Sequence, residues 1–187
     1  MSTDVTVRPE EIEAWRGFIG RSLVERQGLD VESLRRFVAA VGGDPDAPLD
    51  AVPPLGHWAW FLLAVATARI GPDGHATRGD FLPPVRLPRR MFAGGRVRFL
   101  APLALEEACE RRSTVVDVNH RVGRSGELVF VDVERVLVQA GRRCVEETQT
   151  LVFRGRGAPL PPVQPAGRPP AGAGGAAAAA RPPGPVG

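Results

Sequence analysis

Three arginines surround a pair of adjacent glycines near the middle of the chain, in the stretch LPRRMFAGGRVRFLAPL. The residues concerned are Arg89, Arg90, Gly94, Gly95 and Arg96. Glycine lets a ligand approach the backbone closely, and the planar guanidinium of arginine suits anions. The stretch therefore predicts either a site where a charged ligand meets bare backbone, or the ordinary start of a strand flanked by solvated arginines.

Histidine is the commonest side chain in general acid–base catalysis, and this chain has 3 of them. His57 precedes Trp58 and Trp60 at the predicted start of a helix. His75 lies in the loop GPDGHATRG, and His120 lies beside a turn, where we expect it to be exposed. A packing residue, a loop residue and a surface residue are the simplest interpretations of the three.

The 2 cysteines do not form a metal-binding pattern. Neither Cys109 nor Cys144 belongs to a C-x-x-C pair, and no paired histidines accompany them. Both fall in strand-like segments, which favours buried free thiols. We therefore expect no metal site and no bound cofactor.

The elements that position these residues fall into two halves. Residues 8 to about 92 are predicted to be mostly helical, with helices after Pro9, after an N-cap at Asp30 and over residues 55–69, and with one short strand, RSLVERQG. Residues 94–154 are predicted to be an antiparallel meander of four strands with short, glycine-bearing turns. The pattern indicates an α+β fold in which a curved sheet wraps around a helix.

The third of these strands, LVFVDVERVLVQ, has two alternating sets of side chains, and neither set is purely polar. One set contains Val129, Val131, Val133 and Arg135. Successive side chains of a strand point to opposite faces of the sheet. We therefore expect part of this strand to be buried on both faces.

Composition narrows the class of protein. The 187 residues suffice for one domain with a substantial core, and the formal net charge is +3. All basic residues are arginine and are spread along the chain, and tyrosine is absent, which disfavours nucleic-acid binding. The N-terminus has no apolar signal region, and the longest apolar stretch is too short to span a bilayer, so we expect no membrane association and a cytoplasmic location. Residues 157–187, rich in proline, alanine and glycine, are predicted to be a disordered tail.

Several separated segments resemble a known family, in the same order along the chain. LPRRMFAGGRVRFLAPL, HRVGRSGELVFVDVE and EETQTLVFRG are similar to the N-terminal hot-dog domain of MaoC-like and FAS1-like dehydratases. PPLGHWAWFL and DGHATRGDFLPPVRLPRRM resemble the group of hydroxyacyl-thioester dehydratase type 2 and mesaconyl-C4-CoA hydratase proteins. The resemblance covers roughly residues 8–156 and implies a hot-dog domain there, with an antiparallel sheet around a central helix.

In that family a second hot-dog repeat carries the catalytic motif Gly-Asp-x-Asn-Pro-x-His. The matching stretch here is GGDPDAPLD, in which Gly43 and Asp44 agree with the motif. Asp46 and Ala47 replace the Asn and Pro, and Leu49 replaces the catalytic His. Leucine can neither accept nor donate a proton, so an Asp44–His57 pair would be an improvised substitute.

The resemblance implies a hydratase or dehydratase that acts on 3-hydroxyacyl and enoyl thioesters of CoA or an acyl-carrier protein. It makes Arg78, Arg89 and Arg90 candidate phosphate contacts, with Gly94 and Gly95 beneath the pantetheine and His57 and Trp60 lining the acyl channel. The alternative is a non-catalytic thioester-binding subunit that pairs with a catalytic hot-dog. In either case we expect a homo- or heterodimer. A basic-tailed nucleic-acid binder is a weaker third interpretation.

Overall fold

The five strands form one antiparallel sheet. A computed structural model describes residues 6–49, 51–71, 73–123 and 126–155, and the predicted tail lies outside these residues. The strands are β1 (Ser22–Gly28), β2 (Arg89–Phe99), β3 (Ala108–Gly123), β4 (Gly126–Gln139) and β5 (Arg142–Arg154). Their order across the sheet is β1-β3-β4-β5-β2, so β1 and β2 are the two outer strands. The predicted meander of four long strands and one early strand is confirmed.

The two α-helices precede most of the sheet in sequence. They are α1 (Pro9–Arg16) and α2 (Val31–Ala40). Asp30 caps α2 as predicted, because its side chain accepts a hydrogen bond of 2.8 Å from the Ser33 N–H. Leu34 on α2 and Trp15 on α1 are the buried residues that attach the helices to the core. None of the described helices is long and apolar enough to cross a membrane.

The helix predicted over residues 55–69 is wrong. Two short 3₁₀-helices, Gly56–Ala59 and Thr67–Arg69, stand there instead. Leu55 and Phe61 flank the first of them with φ angles of 68° and 57°, a left-handed conformation that cannot continue a right-handed helix. Two long-range hydrogen bonds stabilise this conformation. The Phe61 N–H donates to Gln27 Oε1 at 2.8 Å, and the Trp60 indole donates to the Asp30 carbonyl at 3.2 Å.

The core consists of two apolar clusters on the inner face of the sheet. The first core cluster lies against α1 and contains Val7, Trp15, Val85, Leu87, Val115, Val118, Val129, Val131, Val133 and Phe153. The second core cluster lies against α2 and contains Leu29, Leu34, Ala59, Trp60, Phe61, Leu103, Cys109, Leu137, Cys144 and Val145. The prediction for the third strand is confirmed in part: Val129, Val131 and Val133 are buried, whereas most of the opposite set is only half-buried.

A row of polar side chains separates the two clusters, and we call it the polar band. Its members are Arg111 and Ser113 on β3, Arg135 on β4, and Glu147 and Gln149 on β5. Arg135 stands directly opposite Ser113 on one side and opposite Glu147 on the other. Polar groups in such a place need partners, because burying an unpaired polar group costs free energy.

Candidate functional site in the polar band

The side chain of His57 contacts Glu147, a member of the polar band. The 3₁₀-helix Gly56–Ala59 places His57 Nε2 at 3.5 Å from Glu147 Oε2, and the two side chains are only 3% and 2% exposed. The two side chains are in contact at this separation, and both ring nitrogens of His57 are buried without a hydrogen-bond partner among the described residues. The chain thus contains a buried histidine–carboxylate pair that joins residues 90 positions apart.

Glu147 is held from its other side by two donors. The Trp58 indole donates to Glu147 Oε1 at 3.1 Å, and the Gln149 amide donates to the same oxygen at 2.7 Å. Burial alone would raise the pKa of Glu147, but the contacts with His57 and Gln149 and the charge of Arg135 outweigh it, so the pKa lies below its usual value. Glu147 is therefore ionised at neutral pH.

Arg135 lies directly opposite Glu147 in the polar band. Its Nε and Nη1 are buried and make no hydrogen bond to any described residue. Burial lowers the pKa of Arg135, while the charges of Glu147 and Glu25 raise it again and those of Arg111 and Arg90 oppose them. Four charged groups therefore influence the pKa of Arg135.

Arg111, in contrast, donates hydrogen bonds to two described residues. Its Nη2 donates to Glu25 Oε2 at 2.6 Å and to the Phe61 carbonyl at 3.0 Å. Its guanidinium also lies 4.8 Å from the centroid of the Phe61 ring. These contacts join β1, β3 and the left-handed turn at Phe61, so Arg111 serves the structure of the site.

Two cavities open on this face and share Leu63. The smaller one, of about 210 Å³, is lined by His57, Trp60, Arg135 and Glu147 among others. The larger one, of about 610 Å³, has mostly apolar walls formed by residues such as Leu23, Val65 and Phe81. A volume of this size lies within the ~300–1,000 Å³ range of small-molecule pockets.

Four arginines line the larger cavity: Arg21, Arg69, Arg78 and Arg90. Arg78 donates to Asp73 and to the backbone carbonyl of Leu87, and its guanidinium lies 4.9 Å from the Phe153 ring centroid. Arg21 and Arg69 both bond to Asp80. Arg90 is half-buried and has no hydrogen bond or ion pair to a described residue, so it is the arginine most available to a ligand.

The glycine pair lies inside β2, where the structure differs from the predicted strand entry. The strand already begins at Arg89, and a bulge interrupts its pairing with β5 between Phe92 and Gly94. A side chain added at Gly94 would meet nothing within 4 Å, whereas one at Gly95 would lie 3.2 Å from the Thr148 carbonyl. The open space is therefore at Gly94. Arg89 and Arg96, beside the pair, are both exposed.

The residues of the degenerate motif lie elsewhere. Asp44 is exposed, and its Oδ1 accepts a hydrogen bond of 2.9 Å from the Asp46 N–H in the turn after α2. Leu49 is half-buried and packs against the second core cluster. The carboxylate that contacts His57 is Glu147, and Asp44 bonds within its own turn.

The two remaining histidines contact neighbouring acidic residues, and the two cysteines are buried. His75 Nδ1 lies 2.9 Å from the Asp73 carbonyl oxygen. His120 is half-buried and paired with Glu127 across the β3–β4 hairpin, so the prediction that it is exposed is wrong. Cys109 and Cys144 are free and buried as predicted, and burial raises the pKa of the Cys109 thiol to about 11. Within the described part of the chain, no three His, Cys, Asp or Glu side chains group as a metal site requires.

Sequence reasoning did not select Arg135 and Glu147 as site residues. The signal for Arg135 is its place in the alternating set of Val129, Val131 and Val133, because a charged residue on a buried face needs a partner there. Glu147 gives a similar signal between Val145 and the half-buried Gln149 on β5. Their juxtaposition follows from the β4–β5 register, which places them directly opposite each other.

Known proteins resemble this chain in sequence and in fold. The family model described as hydroxyacyl-thioester dehydratase type 2 matches residues 55–172. The mesaconyl-C(4)-CoA hydratase of Chloroflexus aurantiacus is 38% identical over 163 residues, which are 83% of this chain and 56% of that protein. The chain thus spans about half the length of this curated relative.

A solved structure shares the fold at low sequence identity. A chain of the ChsH1-ChsH2 complex from Mycobacterium tuberculosis has a TM-score of 0.57 and 15% identity, over 83% of this chain and 97% of that one. The sheet is that of the hot-dog fold, as predicted. Because the family model matches more than half of its residues, the chain belongs to the hydroxyacyl-thioester dehydratase type 2 family.

Proposed function

We propose that this chain is the thioester-binding hot-dog unit of a hydratase or dehydratase that interconverts enoyl and 3-hydroxyacyl thioesters of CoA or an acyl carrier. A second hot-dog unit, in a longer polypeptide or a separate chain, supplies the acid and base. The observation that carries the proposal is the packing of Leu49, at the motif's histidine position, against the second core cluster.

The reaction requires groups that this motif region does not offer. Hydration adds water oxygen to the β-carbon and a proton to the α-carbon, so a base must take a proton from water and an acid must supply one. Donors must also stabilise the enolate-like thioester oxygen. Leu49 cannot transfer a proton, and the Asp44 carboxylate is bonded within a turn.

The described cavities support the binding half of the proposal. The larger cavity has apolar walls suited to the pantetheine arm and acyl group, and Arg90 on its wall makes no hydrogen bond to a described residue. Arg89 is exposed next to it, and Gly94 leaves space above β2. Arginine binds phosphate in bidentate fashion, so Arg89 and Arg90 remain the predicted phosphate contacts.

The test compares turnover with and without a second unit. The hydration of crotonyl-CoA is followed by the loss of enoyl-thioester absorbance. We expect no turnover by the chain alone, measurable binding of butyryl-CoA, and turnover after addition of a hot-dog unit with an intact Gly-Asp-x-Asn-Pro-x-His motif. A positioned base contributes ~10²–10⁴-fold in rate, so the difference is easily measured.

The His57–Glu147 pair favours a second candidate, in which the chain catalyses hydration by itself. A buried carboxylate can orient a histidine that acts as a base, and His57 lines the smaller cavity. Robust turnover by the chain alone that His57→Ala abolishes would establish this candidate and refute the first. Turnover that survives His57→Ala would place the active site elsewhere.

A further inference from the structure

We propose that one end of the outer face of the sheet, the face that points away from the two core clusters, is a docking surface for an acyl carrier protein. The surface is built on three arginines in one line, Arg89, Arg121 and Arg154, which we call the arginine row. The choice of occupant rests on the proposed function, because a carrier protein presents the thioester. The arginine row itself rests on the strand register and on the surroundings of its three side chains.

The register of four strands places the three arginines in one line. Arg121 on β3 stands opposite Leu128 on β4, and Leu128 stands opposite Arg154 on β5. Arg154 in turn stands opposite Arg89 on β2. Residues directly opposite each other point to the same face, and Leu128 alternates with the buried Val129, so the row lies on the outer face. Because neighbouring strands are about 4.8 Å apart, the row is about 14 Å long.

The described residues do not neutralise the positive charge of the arginine row. No ion pair joins Arg89, Arg121 or Arg154 to a described acid, and Arg154 Nε is buried without a described hydrogen-bond partner. Arg89 and Arg154 are also like charges directly opposite each other, which destabilises a pair of strands. Elsewhere on the same face, by contrast, Arg98 pairs with Glu146 at 3.0 Å. An acidic partner along the arginine row would relieve the repulsion.

An apolar row lies beside the arginine row on the same face, two positions further along each strand. Phe130 stands opposite Val152, and Val152 stands opposite Met91. The Arg121 guanidinium lies 5.5 Å from the Phe130 ring centroid, and Met91 is 42% exposed. A line of positive charge next to apolar side chains complements an amphipathic helix that carries acidic residues beside apolar ones.

The shape of the surface favours a protein over a small ligand. None of the three arginines lines the larger or the smaller cavity, and small molecules bind in concave pockets. Beyond the apolar row, Asp117 stands opposite Asp132, so an acidic partner is attracted to the end that carries the arginine row and repelled from the next row. Acyl carrier proteins are small and acidic, which matches this distribution of charge.

Arg89 and Arg90 connect the docking surface with the larger cavity. They are the first two residues of β2, and neighbours in a strand point to opposite faces. Arg89 ends the arginine row, whereas Arg90 lines the larger cavity. The phosphate that joins a pantetheine arm to its carrier lies at the surface of the carrier. A carrier protein on the arginine row therefore brings this phosphate to Arg89 and directs the arm around the end of the sheet towards the cavity.

The experiment measures two affinities of the full chain by calorimetry. One probe is a bacterial acyl carrier protein without its prosthetic group, which can contact the docking surface but has no arm to enter a cavity. The other probe is butyryl-CoA. We expect the carrier protein to bind the wild-type chain and to bind more weakly as the salt concentration rises from about 50 to about 500 mM, because salt screens exposed charges. This comparison requires no variant to fold.

Two double variants assign the binding to the arginine row. Arg121→Gln with Arg154→Gln should weaken binding of the carrier protein about fivefold to tenfold, as the loss of two exposed ion pairs does, and leave the affinity for butyryl-CoA unchanged. Arg112→Gln with Arg143→Gln removes the same charge from the same two strands and the same face, at the far end of the sheet. This control should retain the full affinity for the carrier protein.

Three results would overturn the docking surface. The first is a wild-type chain that does not bind the carrier protein, and the second is an equal loss of affinity in both double variants. The third is row-dependent binding of phosphatidylglycerol vesicles in place of the carrier protein, which would assign the row to a lipid surface. Arg121→Gln alone changes only an exposed side chain and should still weaken binding if the double variant does not fold.

The two probes separate this inference from the proposed function. If the carrier protein binds through the arginine row but butyryl-CoA does not bind, the docking surface stands and the thioester-binding role fails. If butyryl-CoA binds but the carrier protein does not, the proposed function stands and the docking surface fails. If neither probe binds, both are refuted.

Discussion

At the scale of single residues, Glu147 shows how a buried charge is maintained in the core. It is 2% exposed, yet it contacts His57, Trp58 and Gln149 and lies opposite Arg135. A buried ion pair adds little stability compared with an apolar core, but removing one partner leaves the other charge uncompensated. We therefore expect neutralisation of Glu147 to disturb its neighbours in the polar band.

We expect Glu147→Gln to lower the free energy of unfolding by about 3–5 kcal/mol, because the buried charge of Arg135 loses the nearby negative charge that offsets it. The matched control is Glu146→Gln, since Glu146 pairs with the exposed Arg98 and Arg143 on the other face. The control should change stability by less than about 1 kcal/mol, as exposed pairs do. Urea denaturation at pH 7 measures the free energy of unfolding of both variants. Equal losses would contradict the role of Glu147 as a buried charge that offsets Arg135.

The lowered pKa of Glu147 also predicts a dependence on pH. A carboxylate whose pKa in the folded chain lies below its usual 4.5 contributes stability that is complete above that value. The contribution declines as the pH falls below 4.5 towards the folded-state pKa. The difference in Tm between wild type and Glu147→Gln should therefore be constant from pH 7 to about 5 and shrink below that. A difference that grows on acidification would show that the pKa is raised instead.

At the scale of secondary-structure elements, β2 pairs with β5 and also contains a glycine, Gly94, that has empty space in front of its backbone. Its bulge lies between Phe92 and Gly94, and its two glycines occupy unlike surroundings. A side chain at Gly95 would crowd the Thr148 carbonyl at 3.2 Å and the Phe92 ring at 3.4 Å. A side chain at Gly94 would enter empty space. Only Gly95 is thus required by the packing of the strand itself.

The two glycines therefore provide a matched pair of substitutions. We expect Gly95→Ala to destabilise the fold by about 1 kcal/mol because its neighbours must move. Gly94→Ala should leave stability unchanged or raise it by up to about 1 kcal/mol, since alanine reduces the entropy of the unfolded chain. Thermal unfolding compares them, and a larger loss from Gly94→Ala would contradict the described geometry.

At the scale of the whole molecule, the outer strand β2 exposes an unusual amount of apolar surface. Met91, Phe92 and Phe99 on the strand, and Leu100 after it, are 42–59% exposed. An outer strand also presents unpaired backbone groups to other chains. These features support pairing with another hot-dog unit along β2, in agreement with the proposed function.

We expect the chain to be dimeric or larger at micromolar concentration, and Phe92→Arg to shift it towards monomer by placing a charge in the interface. Val122→Arg is the control, because Val122 is 73% exposed at the far end of β3. Sedimentation velocity measures the three proteins. A stable, folded wild-type monomer would refute association of the chain with itself, and only pairing with a different hot-dog would remain.

The sequence by itself determined the elements whose cues are local. Asp30 caps α2 through a hydrogen bond three residues away, and the alternation of Val129, Val131 and Val133 places them on one buried face. The order of these elements, together with the family resemblance, indicated the hot-dog fold. The loss of the motif histidine at Leu49 is likewise visible without a structure, because it depends on residue type alone.

Only the tertiary structure decided the conformation of residues 55–69 and the contacts of the candidate site, because these contacts join distant parts of the chain. The helix predicted over residues 55–69 does not form, since bonds from Trp60 and Phe61 to residues about 30 positions earlier hold a left-handed turn. The pairing of His57 with Glu147 depends on tertiary packing, which brings side chains 90 positions apart in the sequence into contact. The juxtaposition of Arg135 and Glu147 depends on the register between β4 and β5, which no periodic pattern records.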